Sequence, residues 1–288
     1  MFDPKTNKFP YPMDTGEHYL KVKKNNGLVF DTKYPYVDNS KKMKRGQWWM
    51  RVLLNTIVFP LDRIRLGLRI KGRENLKKYK DVIDKGVISV SNHIHMWDYI
   101  TTMRVVRPNK PYVLVWDKNV RGENSKIIRL TRGIPVPTED PAASKEYLRQ
   151  VIKLITEGHG WLHIYAEGTM WEFYAPIRPF KRGASYIALK CDRPIIPIAY
   201  SYRKPNWIRR VIFRQIACIT ATIGEPVYKD ESLTGKAQEM DLTRRVHAKV
   251  CELAGIKPEE NIYDAIYNDS KRVDYYTDTY GVGYKGSH

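Results

Sequence analysis

Short apolar runs alternate with longer stretches whose apolar positions recur at helical spacing, and this two-period pattern runs through most of the chain. Val87-Ile88-Ser89-Val90 predicts a short buried strand, Tyr112 to Trp116 another, and Trp161 to Thr169 an alternating strand that ends in Glu167 and Gly168. Ile195 to Tyr202 and Val211 to Ile223 predict two further strands. Between them lie helical signals. Trp97 to Met103 opens one helix, Asp140-Pro141 supplies an N-cap and a first-turn proline for a second that Gly158 closes, and Asp241 to Leu253 forms a last one ended by Gly255 and Pro258. The alternation predicts an α/β fold with a mixed, largely parallel sheet flanked by helices.

One apolar stretch stands apart from this core pattern. Gln47 to Leu61 carries Trp48 and Trp49 at its start, and is flanked by Lys41, Lys42, Lys44 and Arg45 before it and Arg63, Arg65 and Arg69 after it. Tryptophans and cations at the rim of an apolar helix suit a lipid interface, whereas the same face could equally cover the domain itself. Pro60 is expected to kink or end this helix, with Leu61 to Ile70 forming a second, so that the pair makes a hairpin dipping into one leaflet. The chain thus divides into a polar extension (1–45), amphipathic interfacial helices (46–70), a catalytic domain (71–257) and a tyrosine-rich tail (258–288).

Charge narrows the partners. The 288 residues carry a formal net charge of +19, which attracts an anionic membrane surface, nucleic acid or acidic carriers without choosing among them. No stretch reaches the roughly twenty apolar residues needed to cross a bilayer, and residues 1–26 lack a signal-peptide core, so a peripheral position on the cytoplasmic side of the membrane is expected. Cys191, Cys218 and Cys251 are widely spaced, with no Cys-x-x-Cys pair.

The candidate chemistry sits where the first strand meets the first helix. Asn92-His93-Ile94-His95-Met96-Trp97-Asp98 places an imidazole and a carboxylate at a strand-to-helix turn, and a carboxylate that holds one ring nitrogen leaves the other as a base. Glu167 and Gly168 end a second strand, close in sequence to the basic loop Phe180-Lys181-Arg182-Gly183-Ala184. A metal centre built from His93, His95 and Asp98, completed by His159 or His163, lacks the ligand spacing of zinc sites, and no metal is expected.

In order, these blocks with Arg132-Gly133-Ile134-Pro135-Val136-Pro137 between them, Pro194 to Ile198 after them and Ile70 to Leu76 before them resemble the lysophospholipid acyltransferases, typified by 1-acylglycerol-3-phosphate acyltransferases, over roughly residues 70–225. The resemblance implies that His93 is the general base and Asp98 its orienting partner. It places Asn92, Arg132, Gly133, Glu167, Gly168, Thr169, Lys181 and Arg182 on the substrate. The acyl donor implied is acyl-CoA or acyl carrier protein, the acceptor a lysolipid, and no further cofactor is needed. The absence of a Gly-x-Ser-x-Gly elbow agrees with direct attack by the acceptor hydroxyl.

Two positions depart from the family pattern. Met170 stands where the Glu-Gly-Thr-Arg block has arginine, and Thr138 where the Gly-x-x-x-x-Arg pattern ends. Neither can offer the forked, charge-assisted hydrogen bonds with which arginine binds phosphate. Either Arg132, Arg178, Lys181 or Arg182 supplies that charge, or the acceptor carries no phosphate monoester, as in an amino-acid-derived lysolipid or a glycolipid. The rival class is a nucleic-acid-binding protein using the aromatics and cations of Tyr200 to Trp207, which leaves the ordered blocks unexplained.

Overall fold

The computed structural model describes residues 25–256 except positions 173, 175, 176 and 216; the tail at 258–288 and residues 1–24 lie outside the described residues. Seven strands form one sheet: β1 (Arg69–Lys71), β2 (Val87–Ser91), β3 (Tyr112–Trp116), β4 (Gly133–Val136), β5 (Trp161–Tyr165), β6 (Ile195–Arg203) and β7 (Cys218–Ile223). Their spatial order is β1-β7-β6-β2-β5-β3-β4, and every neighbouring pair is parallel except β6 with β7. All five residues of β2 and of β5 are buried, because helices cover the sheet on both faces. For the same reason β5 does not show the one-sided burial that its sequence alternation suggested.

The helices are α1 (Lys41–Leu53), α2 (Phe59–Leu66), α3 (Glu74–Lys78), α4 (Lys80–Ile83), α5 (Asp98–Val105), α6 (Asp117–Arg121), α7 (Ser125–Leu130), α8 (Pro141–Thr156), α9 (Gly183–Cys191), α10 (Trp207–Val211) and α11 (Gly235–Ala254). Local chemistry explains their ends. Asp140 Oδ1 accepts from the Ala142 N–H at 2.8 Å to open α8, whose buried Ala143, Tyr147, Val151 and Ile155 recur every fourth residue. Gly255, at φ 74°, closes α11 in the left-handed conformation that glycine adopts without strain.

Three expectations change. The segment from Val211 does not open a strand: α10 runs from Trp207 to Val211, and β7 begins only at Cys218. Pro60 neither breaks the helix nor makes a hairpin. α1 passes through a π-helical turn, Leu54–Val58, directly into α2, with helical backbone at both junctions. The helix also begins at Lys41, and the preceding residues lie on the domain, with Phe30 and Tyr36 buried and Arg129 Nη1 donating to the Tyr36 carbonyl at 2.8 Å. Along its outer side Trp49, Leu53, Ile57, Leu61 and Ile64 remain between 43% and 61% exposed. Among the described residues no helix is long and apolar enough to cross a membrane.

The connections set the position of the site. From β2 the chain crosses through α5 to β3 on one side, and from β5 it crosses through α9 to β6 on the other, so the winding reverses around β2. Crevices at such reversals, at the carboxyl ends of the strands, are where α/β sheets bind ligands.

Candidate active site

β2 ends at this reversal, and Asn92 ties the following turn to the sheet. Its Nδ2 donates to the Tyr200 carbonyl and its Oδ1 accepts from the Tyr200 N–H, both at 2.8 Å. The amide is fully buried and satisfied inside the fold.

His93 comes next. Its Nδ1 lies 3.3 Å from Asp98 Oδ2, and the same oxygen accepts the backbone N–H groups of Ile94 at 2.7 Å and His95 at 2.8 Å. Three donors therefore fix one oxygen of a fully buried carboxylate at the first residue of α5. Because a carboxylate only accepts, Nδ1 carries the ring hydrogen and Nε2 keeps its lone pair. The ring stacks on Tyr165 at 3.9 Å between centroids and 16° between planes. Tyr165 is held in turn by Thr102 Oγ1 at 3.0 Å, which also bonds the Tyr200 hydroxyl at 2.6 Å. Burial pushes both phenols well above their ordinary range, so they stay neutral hydrogen-bonding groups. The His93 side chain retains 18% exposure, which leaves the ring reachable from outside.

The other histidines do not converge on it. His95 Nδ1 accepts from the Trp97 N–H at 3.1 Å, and its Nε2 faces Glu172 Oε1 at 3.4 Å. Burial lowers its pKa, so it is neutral with the hydrogen on Nε2. His163 lies inside the sheet between Ser89 Oγ at 2.9 Å and Ser91 Oγ at 3.2 Å, and burial lowers its pKa to about 3. His159 is at the opposite end of β5, against the Lys85 carbonyl. Among the described residues, no group of three His, Cys, Asp or Glu side chains is placed to hold a metal ion.

The loop after β5 supports His93 from its other side. Glu167 Oε2 accepts the His93 backbone N–H at 3.2 Å, and the His93 carbonyl accepts from the Trp171 N–H at 3.3 Å. Glu167 also receives the Arg178 N–H at 2.9 Å and its guanidinium Nη2 at 2.7 Å, while that guanidinium donates to the hydroxyl and carbonyl of Thr169. Both ion-pair side chains are 1% exposed. Glu167, Thr169 and Arg178 thus form a buried strut behind the His93 backbone, and the Arg178 charge is spent inside it.

Gly168 sits at the turn in the left-handed region, φ 80°, and a Cβ there would come within 2.8 Å of the Lys181 side chain. Lys181 therefore lies directly over this turn, with its backbone N–H donating to the Ala166 carbonyl at 2.7 Å. Arg182 is exposed beside it and lies 3.5 Å from Glu239.

Arg132 and Gly133 are not brought here. They stand at the amino end of β4, whereas His93 and Glu167 follow the carboxyl ends of parallel strands. Arg132 donates to the Lys110 carbonyl at 2.7 Å and stacks on Tyr112, in a cleft of about 1370 Å³ that Arg51 and Arg107 also line. Gly133 is a packing requirement, since a Cβ would meet the Ile128 side chain at 2.4 Å.

Sequence reasoning passed over Tyr165, Thr102, Tyr200 and Glu172, and gave Arg65 no part in the site. Arg65, near the end of α2, stacks over Trp97 at 5.1 Å, and its charge reaches His95. Only the strand-end position of Tyr165, beside the glutamate, offered a signal in advance.

A clamped, partly exposed imidazole thus stands at the winding reversal of an α/β sheet. Residues 67–201 match the model of the acyltransferase family. Two curated relatives, the 1-acyl-sn-glycerol-3-phosphate acyltransferases of Limnanthes douglasii and Limnanthes alba, are each 22% identical over 218 residues, spanning 69% of this chain and 74% of theirs. The solved 1-acyl-sn-glycerophosphate (LPA) acyltransferase of Thermotoga maritima, PlsC, is 16% identical with a TM-score of 0.44, covering 76% of this chain and 85% of that one.

Proposed function

We propose that this protein is an O-acyltransferase that moves a fatty acyl group from acyl-CoA or acyl carrier protein to the hydroxyl of a lysophospholipid such as 1-acylglycerol-3-phosphate, with His93 as general base. The observation that carries the mechanism is the clamp on Asp98, whose fixed Oδ2 holds His93 Nδ1 at 3.3 Å. Nε2 takes the proton of the acceptor hydroxyl as its oxygen attacks the thioester carbonyl. The Asp98 carboxylate stabilises the imidazolium so formed. When the tetrahedral intermediate collapses, the thiolate leaves and recovers that proton, giving an ester and a free thiol with no acyl-enzyme. General base catalysis of this kind is worth about 10²–10⁴ in rate.

Of the four cations considered for the acceptor's phosphate, Arg178 is locked in the strut and Arg132 is at the far edge. Lys181 over the Gly168 turn is the nearest replacement for the arginines absent at Met170 and Thr138, with Arg182 and Arg65 flanking the site. The names of the relatives, both acting on 1-acyl-sn-glycerol-3-phosphate, support this acceptor class. The exposed stripe of α1 and α2, with its flanking cations, supports peripheral docking on the anionic, cytoplasmic face of a membrane, from which the acceptor is drawn.

The test is acyl transfer from both donors to a panel of lysolipids in mixed micelles, comparing wild type with His93→Ala. Transfer to lysophosphatidate that falls at least a hundredfold in the variant supports the proposal. Base-dependent transfer confined to phosphate-free acceptors keeps the chemistry and replaces the acceptor, a second reading that the occupied state of Arg178 favours. Equal rates in His93→Ala and wild type refute the mechanism.

A further inference from the structure

The connection between β6 and β7 carries a second exposed apolar surface, unrelated to the stripe by sequence. Within seven residues, Trp207, Ile208, Val211, Ile212 and Phe213 are 67%, 41%, 61%, 64% and 50% exposed. Isolated exposed apolar residues need no explanation, but five on one short projection make a contiguous patch of the kind that marks an interaction site. The projection is built to stand out. Asn206 caps α10 by accepting the Arg209 N–H at 2.9 Å. Arg209 Nη1 and Gln215 Nε2 fasten its base to the Ile64 carbonyl at 2.8 and 2.7 Å, and Gln215 also donates to the Arg65 carbonyl.

Those bonds place the patch against the end of α2, so that it continues the stripe at Leu61 and Ile64, which are 56% and 49% exposed. Its position relative to the base follows from strand direction. β6 is parallel to β2, and α10 follows the carboxyl end of β6 as His93 follows that of β2. Patch and base therefore share one edge of the sheet. Charge selects the partner: between Asp192 and Glu225 the chain has six basic residues and no acidic one. Apolar side chains set among arginines match the apolar interior and anionic surface of a lipid leaflet.

We propose that residues 207–213 form a second membrane-docking element, which inserts Trp207, Val211, Ile212 and Phe213 into an anionic leaflet and turns the edge bearing His93 towards it. This deepens the peripheral docking proposed above and rests on that reading for its partner. It adds that docking has a second contact, on a different element beside the end of α2, which fixes the orientation of the domain where the stripe alone leaves it free to roll.

The experiment uses the full chain with vesicles of phosphatidylcholine alone or mixed with phosphatidylglycerol. W207S/I212S/F213S alters only exposed side chains, and far-ultraviolet circular dichroism checks that it folds. Partitioning of this variant onto the anionic vesicles is expected to be weaker by about tenfold or more, because several large apolar side chains lose their transfer into lipid. In a second measurement Phe213→Cys, carrying an environment-sensitive fluorophore, is expected to shift to the blue on anionic vesicles while the protein remains monomeric without lipid. Unchanged partitioning of the triple variant overturns the proposal. So does a wild-type dimer that the triple variant dissolves, which makes the patch an interface between copies, or a label already shielded without lipid, which makes it a seat for another part of the chain. His93→Ala is expected to bind vesicles as wild type does. Loss of acyl transfer with docking intact, and loss of docking with transfer to dispersed acceptor intact, therefore separate the failure of the reaction from the failure of this surface.

Discussion

Replacing Arg178 by methionine separates a strut from a substrate ligand. The substitution keeps an apolar stem of about the reach of the arginine's, ending near the position of Nε, and the backbone N–H bond to Glu167 Oε1 at 2.9 Å. It removes the Nη2 contact to Oε2 at 2.7 Å, the two bonds to Thr169 and the stacking on Trp171 at 4.3 Å. With both partners 1% exposed, Glu167 is left as a buried carboxylate without its counter-charge. Breaking a buried pair from one side costs about 3–5 kcal/mol. For a domain of this size each kcal/mol moves the melting temperature by about 2–4 °C, so a fall of roughly 6–20 °C is expected. Arg178→Met/Glu167→Gln, which leaves no orphan charge, should recover a large part of that loss. The assay is thermal unfolding of the full chain by circular dichroism, alongside KM for the acceptor in folded protein. A fall below about 2 °C with a tenfold rise in KM would refute the strut and make Arg178 the phosphate ligand.

Lys181→Met is expected to lower kcat/KM for a phosphate-bearing acceptor by about 10–100-fold, the loss of one charge-assisted hydrogen bond, and to leave a phosphate-free acceptor nearly unaffected; equal loss for both would refute the assignment. Gly168→Ala should act in the same direction, because its Cβ displaces Lys181 and the turn is held at positive φ. Stability should also depend on His163, which the fold holds neutral. The unfolded chain takes up its proton near pH 6.5 and the folded chain only near pH 3, so stability is full above that upper value and falls with pH by about 1.4 kcal/mol per unit in between. Urea unfolding at about pH 7 and 4.5 checks this. His163→Gln should reduce the pH dependence by about 3 kcal/mol over that interval, and an unchanged dependence would show that His163 is not its source.

Strands and helices with local signals were legible in the sequence. The β2 run, the Asp140-Pro141 cap and the glycine after α11 each depend on neighbours within a few residues. The error at Val211 has a physical cause: Val211, Ile212 and Phe213 are as apolar as a buried strand, and hydrophobicity alone does not distinguish a core side chain from one left at the surface. Polar staples were illegible because they close over long separations, as Asn92 does on Tyr200. The edge at which Arg132 and Gly133 lie was legible from strand order. They precede their strand, and in a parallel sheet the residues before a strand lie at the edge opposite those that follow one, where His93 is found.

The π-helical turn at Leu54–Val58 has a consequence for angular phase. In a regular α-helix each step of four residues advances 40° past a full turn, so from Trp49 to Leu61 an apolar stripe would wander by about 120°, a third of the way round the rod. The wider turn absorbs about one residue, and the accumulated drift shrinks to about 20°. It also lets the helix run past Pro60 unbroken. Trp49 and Leu61 thereby keep nearly one azimuth along a single stiff rod. Deleting one residue at 54–58 would swing everything beyond it by roughly 100° while the first half stayed in place.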